Sequence, residues 1–437
     1  MMRRLLLLAA SLASLAGGAA AQWRRDSRPI EPVDIPPSVQ QGVDMIYVDP
    51  EIAPRVAKRE GLLRELGIRY EPGAPTDLFE AVSPFYTSLR RGLARYRSEW
   101  GGLPQVAVPA GPVLKPGSTG ERVASLRERL GLGAGRSYDA ALARAVKRYQ
   151  QVHGIGADGV AGAATVESLN RGAGHYERVL MLNLDRARTL PASDETGRYV
   201  LVDAGAARLF MVEDGEVRDT MKVIVGKAAS ATPMMAAVMR YASVNPYWNV
   251  PVDLARTLVA PRVLADGVGH VDAERYQLLS DWTEQAAELD PAAVDWRAVA
   301  AGDVELRVRQ RPGPGNSMGA IKFMMPNDYG IYLHDTNDRT LFGRTDRWLS
   351  NGCVRVEDAR RLATWLFGGM PAGKDPAVEE DVPLPEPVPV YITYLTAEAT
   401  GDGVLFRSDP YGRDAALIAR YDGGGGLARP AGLEPAT

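Results

Sequence analysis

Cysteine is almost missing: the chain has one, Cys353, among 437 residues. An internal disulfide is therefore excluded, and with it any fold stapled by bridges. Histidine is scarce as well, with four residues, and His153, His175 and His270 show no ligand spacing with acids or cysteine. No metal or other cofactor is expected on that basis. Charge of one sign is lacking too: the formal net of -3 excludes a general attraction to nucleic acid. After the first residues no apolar run is long enough to span a bilayer. A lone thiol has three uses: it is buried and inert, linked to another chain, or reactive for a purpose. Its neighbourhood has to decide.

What is present starts with Met1-Met2-Arg3-Arg4, an apolar stretch from Leu5 to about Leu15, and small residues ending at Ala21. This is a secretory signal pattern over 1–21, so cleavage after Ala21 is expected, leaving no stable membrane span. Residues 22–110 read as a leader and a helical scaffold, in which Phe85, Leu89, Leu93, Tyr96 and Trp100 mark one helix face. Residues 111–172 read as a small helical module. Its stripes are Val123, Leu126 and Leu130, then Leu142, Val146 and Tyr149, then Val166 and Leu169. From 196 to 398 the period changes to two: Val200 and Val202, Leu209 and Met211, and Met221, Val223 and Val225 alternate with polar neighbours. Further strands are expected at Val304–Val308, Ile331–Leu333 and Val390–Leu395. Within this domain, residues of about 252–315 form an insertion of mixed character, of a length usual for lids and binding loops. Residues 399–437 read as an extension, disordered from Gly423. The fold class is α+β, a mostly β domain behind helical modules.

Two segments carry chemistry. In Gly330-Ile331-Tyr332-Leu333-His334-Asp335-Thr336, strand alternation puts Tyr332 and His334 on one side. In Ser350-Asn351-Gly352-Cys353-Val354-Arg355, the thiol follows a sharp polar turn with backbone N–H groups, and a helix is expected almost at once, with Glu357 and Asp358 in its first turn. A thiol needs a base or a positive field to become a thiolate at neutral pH. The imidazole supplies one, the helix N-terminus adds a smaller term, and the N–H groups near Gly352 and Cys353 suit an oxyanion. Those are the parts for acyl transfer. Asp335, as a strand neighbour of His334, points the other way, so a backbone carbonyl is the favoured partner for the imidazole.

The run L-H-D-T-N-D-R-T-L-F-G-R-T-D-R-W-L-S-N-G-C-V-R-V resembles the signature of L,D-transpeptidases of the YkuD fold: a His, about twenty residues, then Ser-x-Gly-Cys-x-Arg. The resemblance extends to Arg198–Gly226, Thr232-Pro233, Asn245–Pro251, the K-F-M-M-P-N run from Lys322 and the strand from Val390. Residues 113–172 are similar to the three-helix peptidoglycan-binding domain at Tyr149-Gln150, Gly154, Asp158-Gly159, Gly162 and Thr165, as wall ligand or as scaffold. The layout resembles the large YcbB-type subfamily of Gram-negative bacteria. The resemblance implies a periplasmic enzyme that joins peptidoglycan stem peptides by 3-3 cross-links and is acylated by carbapenems. It implies Cys353 as nucleophile, His334 as base, Gly352 beside the oxyanion and Arg355 as the motif arginine. Tyr332 and Trp248 then line the donor cleft, with Ser350 and Asn351 beside them. Many members have His before Gly-Cys where this chain has Asn351, so no second imidazole is implied. A hydrolase on the same scaffold and a non-catalytic wall-binding protein are the alternatives.

Overall fold

The computed structural model describes residues 45–48, 82–192, 197–283, 285–401 and 403–422. The expected signal peptide, most of the expected leader and the tail from Gly423 lie outside them. Among the described residues no helix is long and apolar enough to cross a membrane.

The scaffold helix α1 (Pro84–Tyr96) begins where Ser83 caps the Phe85 N–H and Pro84 presets the first turn. Leu89, Leu93 and Tyr96 point inward, and Trp100 follows them on a π turn at Arg97–Gly101. The module consists of α2 (Glu121–Arg129), α3 (Ala140–Val152) and α4 (Ala163–Arg171), each burying its sequence stripe. Helix α5 (Ala173–Arg188) leads into the β domain. Gly154 ends α3 with φ 64, and a Cβ there would lie 2.2 Å from the Phe406 carbonyl oxygen. No other residue meets both demands. Gly162, by contrast, caps α4 with an ordinary φ of -80.

The β domain is built from β2 (Arg198–Asp203), β3 (Arg208–Glu213), β4 (Glu216–Gly226) and β5 (Met235–Val244). It continues, beyond the insertion, with β9 (Ile321–Met324), β10 (Leu333–His334), β12 (Val354–Val356) and β13 (Glu380–Thr393). Their order is β5-β13-β2-β3-β4-β12-β10-β9, and β9 pairs again with β5, so the sheet closes on itself. Strand β1 (Met45–Val48) hangs on β5, and β11 (Trp348–Ser350) on β4. Val200, Val202, Leu209, Met211, Leu333 and Val354 face the enclosed core, with the apolar stripe of helix α9 (Ala359–Phe367). The outer face of β2 and β3 packs Tyr199, Leu201 and Val212 into the core of the helices.

Two expectations need correction. The strand anticipated from Val304 begins at Arg307, and Val304 is exposed. The insertion is a folded unit rather than an irregular one: β6 (Trp248–Val250), β8 (Arg307–Gln310) and β7 (Tyr276–Leu279) pair in that order. They enclose a core of their own with α6 (Ala260–Asp266), α7 (Gly269–Ala273) and α8 (Trp296–Ala301). Over its described residues the C-terminal extension forms a hairpin of β14 (Ala397–Thr400) and β15 (Gly403–Phe406) and a helix α10 (Arg413–Asp422). Its short apolar pattern has meaning only against α1, whose Gly92 admits Val404 so closely that a Cβ would sit 2.6 Å from it.

Candidate active site

Parallel pairing of β10 with β12 sets Leu333 beside Val354 and His334 beside Arg355. The Val354 N–H donates to the Tyr332 carbonyl at 3.1 Å, which continues the register and places Cys353 beside Tyr332. Alternation then puts Tyr332, His334, Cys353 and Arg355 on the outer face, with thiol and imidazole as diagonal neighbours. On the other flank, His334 lies beside Lys322 of β9.

The turn before the thiol is held from inside. The Ser350 hydroxyl donates to the Cys353 carbonyl at 2.6 Å and accepts the Gly352 N–H at 3.1 Å. Gly352 has φ 124, a conformation other residues rarely adopt. Two expectations change here. The buried Ser350, placed beside substrate by the sequence, uses its hydroxyl within the turn, and the Gly352 N–H is engaged by it rather than open for an oxyanion. The helix expected directly after Cys353 starts at Ala359, beyond β12, with Asp358 capping the Arg361 N–H. Its N-terminus is thus separated from the thiol by the whole strand, and the favourable field falls off within one helical turn. Asn351 is exposed.

The half-buried thiol donates to the Gly330 carbonyl at 3.6 Å. Burial pushes its pKa above the ordinary value, while contacts with Tyr332 and the charges of Arg355 and Lys322 pull it back. His334 is 2% exposed; burial, then the Arg355 and Lys322 charges, hold its pKa down at about 3. Among the described residues its buried Nδ1 has no hydrogen-bond partner. The Asp335 carboxylate accepts from the Ala320 N–H at 2.9 Å and from Arg339 at 3.0 Å, away from the imidazole. The resting pair is therefore neutral imidazole and neutral thiol, not a preformed ion pair. The Arg355 Nε is also buried and unpartnered. The Tyr332 ring lies 5.6 Å from the His334 ring, and its hydroxyl reaches the Met318 sulfur at 3.5 Å. Trp248 stands on β6 and packs against the core of the insertion.

Three supporting residues were given no role from the sequence, although Thr232 and Asn327 lie in segments that carry the resemblance. The buried Thr232 hydroxyl donates to the Gly352 carbonyl at 2.7 Å and accepts the Gly226 N–H at 2.9 Å, tying the turn to β4. Its Thr-Pro pair was a usable signal. Asn327 accepts from the Ile331 N–H and donates to its carbonyl at 2.7 Å, shaping the approach to Tyr332. Tyr411, from the C-terminal extension, donates to the Gly226 carbonyl at 2.8 Å, and no local pattern announces it. A separate cavity of about 230 Å³ lies between α1 and β2–β3, and none of these residues line it.

Comparison with known families supports the resemblance. The YkuD family, described as the L,D-transpeptidase catalytic domain, matches residues 197–390. The family described as "Putative peptidoglycan binding domain" matches residues 121–169. A Haemophilus influenzae protein named "Putative L,D-transpeptidase" is 32% identical over 242 residues, covering 54% of this chain and 48% of that one. The chain thus spans about half the length of the curated relative it matches. An L,D-transpeptidase structure from Xylanimonas cellulosilytica is 19% identical, covering 65% of this chain and 98% of that one, with a TM-score of 0.19. Another, from Stackebrandtia nassauensis, is 15% identical over 73% of this chain and 96% of that one, with a TM-score of 0.21. Superpositions that loose carry no argument about the site. Residues 197–390 form a YkuD-type L,D-transpeptidase catalytic domain, with a peptidoglycan-binding-type helical domain upstream of it.

Proposed function

We propose that the protein is a YcbB-type L,D-transpeptidase that forms 3-3 cross-links between peptidoglycan stem peptides in the periplasm, through an acyl-enzyme on Cys353. The observation that supports this most is the register that sets the only thiol beside Tyr332 and diagonal to His334 on one face. The imidazole, neutral at physiological pH, takes the Sγ proton as sulfur attacks the carbonyl of the third residue of a tetrapeptide stem. It returns that proton to the departing D-Ala amine, leaving a thioester. The side-chain amine of a second stem then attacks the thioester and frees the thiol. Arg355, with a buried and unpartnered Nε, is the group offered to a substrate carboxylate. Tyr332 and Trp248 flank the donor, and Asn351, exposed at the turn, meets substrate from outside. Ser350 and Gly352 hold the turn that presents the thiol.

The test is incubation of the whole protein with tetrapeptide muropeptides and weighing of the products. D-Ala release with cross-linked dimers is expected, and both should vanish in Cys353→Ala while the fold persists. Release without dimers identifies a hydrolase; turnover by Cys353→Ala removes the assignment. A carbapenem, whose strained carbonyl invites the same attack, should add one drug mass or a fragment of it at Cys353 and none to Cys353→Ala.

A further inference from the structure

The K-F-M-M-P-N run puts a lysine in the row that carries the imidazole. Reading across the outer face, Ser243 of β5, Lys322 of β9, His334 of β10 and Arg355 of β12 are successive in-register neighbours. Two cations thus flank one histidine. They differ in their partners. Among the described residues Arg355 makes no ion pair, whereas the Lys322 ammonium, 11% exposed, binds Glu379 at 2.7 Å. The second Glu379 oxygen accepts the Tyr247 N–H at 2.6 Å, so the carboxylate is held from two sides. Ser243 donates to Asp381 at 2.5 Å, which ends the row on β13.

The charged and titratable groups around Cys353 and His334 are few. Tyr332 and Asp335 belong to β10 and its continuation, and Asp335 is turned to Ala320 and Arg339. Arg355 comes from β12, with Asp338 acting on it from the loop after β10. Lys322 comes from β9, Glu379 from the residue just before β13, and Asp381 from the start of β13.

We propose that Lys322 is a positioning residue for the Cys353–His334 pair, and that Glu379 sets how much of its charge the pair feels. The proposal rests on Cys353 being the nucleophile. An ammonium in that place favours the thiolate and disfavours the imidazolium. The thiol then loses its proton more readily while the imidazole stays free to receive it. Burial works against the thiolate, and Lys322 is among the groups that oppose it. Glu379, by neutralising part of that charge, keeps the thiol from standing ionised in the absence of substrate.

Because the chain has one cysteine, iodoacetamide reports on this thiol alone. The pH dependence of alkylation should be measured on the whole protein and on Lys322→Met, Lys322→Arg and Glu379→Gln, each checked for an intact thermal transition. The midpoint should rise in Lys322→Met and fall in Glu379→Gln, with thiolate near neutral pH changing by about threefold in each direction, half a pKa unit. Lys322→Arg, which keeps the charge, should match the native protein. General loosening of the site would move both neutralising variants the same way, so opposite signs separate electrostatics from packing. An unmoved midpoint in Lys322→Met, or a rise in Glu379→Gln, overturns the proposal; if Lys322→Met does not fold, the sign in Glu379→Gln decides alone. No peptidoglycan is needed, so this result and the cross-linking assignment stand or fall separately.

Discussion

At the scale of single residues, the site is governed by where charge is tolerated. His334 is buried between two cations, and its pKa lies near 3 rather than at the ordinary 6.5. The proposed base must be unprotonated to act, and His334 takes up a proton only as pH falls toward 3. The acid limb of kcat/KM should therefore be missing around pH 6 and appear only well below it. A limb at the ordinary histidine value, removed by no other substitution, would mean that the imidazole is solvated and free of Arg355 and Lys322. That Tyr332 and His334 share a face and that Cys353 follows a polar turn was legible in the sequence, because a turn and a two-residue alternation are local properties, whereas Arg355 came only from the family resemblance. Lys322 was not legible, since its place beside His334 depends on the pairing of β9 with β10, which nothing near Lys322 encodes. Ser350 was legible as a neighbour of the thiol but not as the lock of its turn.

At the scale of elements, the C-terminal extension is a clasp. Asp414 of α10 accepts from Arg186 of α5 at 2.7 Å and from the Thr396 hydroxyl at 2.5 Å, with both members of the ion pair buried. Three residues earlier, Tyr411 reaches Gly226 beneath the catalytic turn. Asp414→Ala breaks this buried ion pair by removing one member, and should cost about 3–5 kcal/mol in urea unfolding. A loss within 1 kcal/mol, about what a surface pair gives, would show that the clasp is dispensable. The strand β13 shows why some boundaries were hidden. Before Val390 it carries Pro383, Pro385, Pro387 and Pro389, which argue against a central strand. The part before Val390 pairs with β5 alone, with a break in register between Pro383 and Val388, and only Val390, Tyr391 and Ile392 pair on both sides. The sequence therefore signals a strand from Val390 onward, where both sides need donors.

At the scale of the molecule, a folded insertion with its own core stands on the catalytic domain beside the site, rooted through Trp248 and Tyr247. Arg309 of β8 lies 4.2 Å over the Tyr247 ring, and the Tyr247 N–H is held by Glu379. We expect that shortening the insertion between about Thr257 and Pro314 impairs acyl transfer more than it lowers the unfolding midpoint of the remainder, and raises hydrolysis relative to cross-linking. A shortened protein that keeps the native rate and product ratio would exclude a shielding role. The closed sheet bears on the site in another way. Strand β10 has two residues and β12 three, lengths that would fray at an open edge. Here each is flanked on both sides, and the pairing of β9 with β5 completes the ring. Releasing either strand means opening a circuit that runs through the whole domain. The amide protons of Leu333 and Val354 should thus exchange with solvent no faster than those of the interior strands, and the catalytic pair keeps its geometry until the domain unfolds as one.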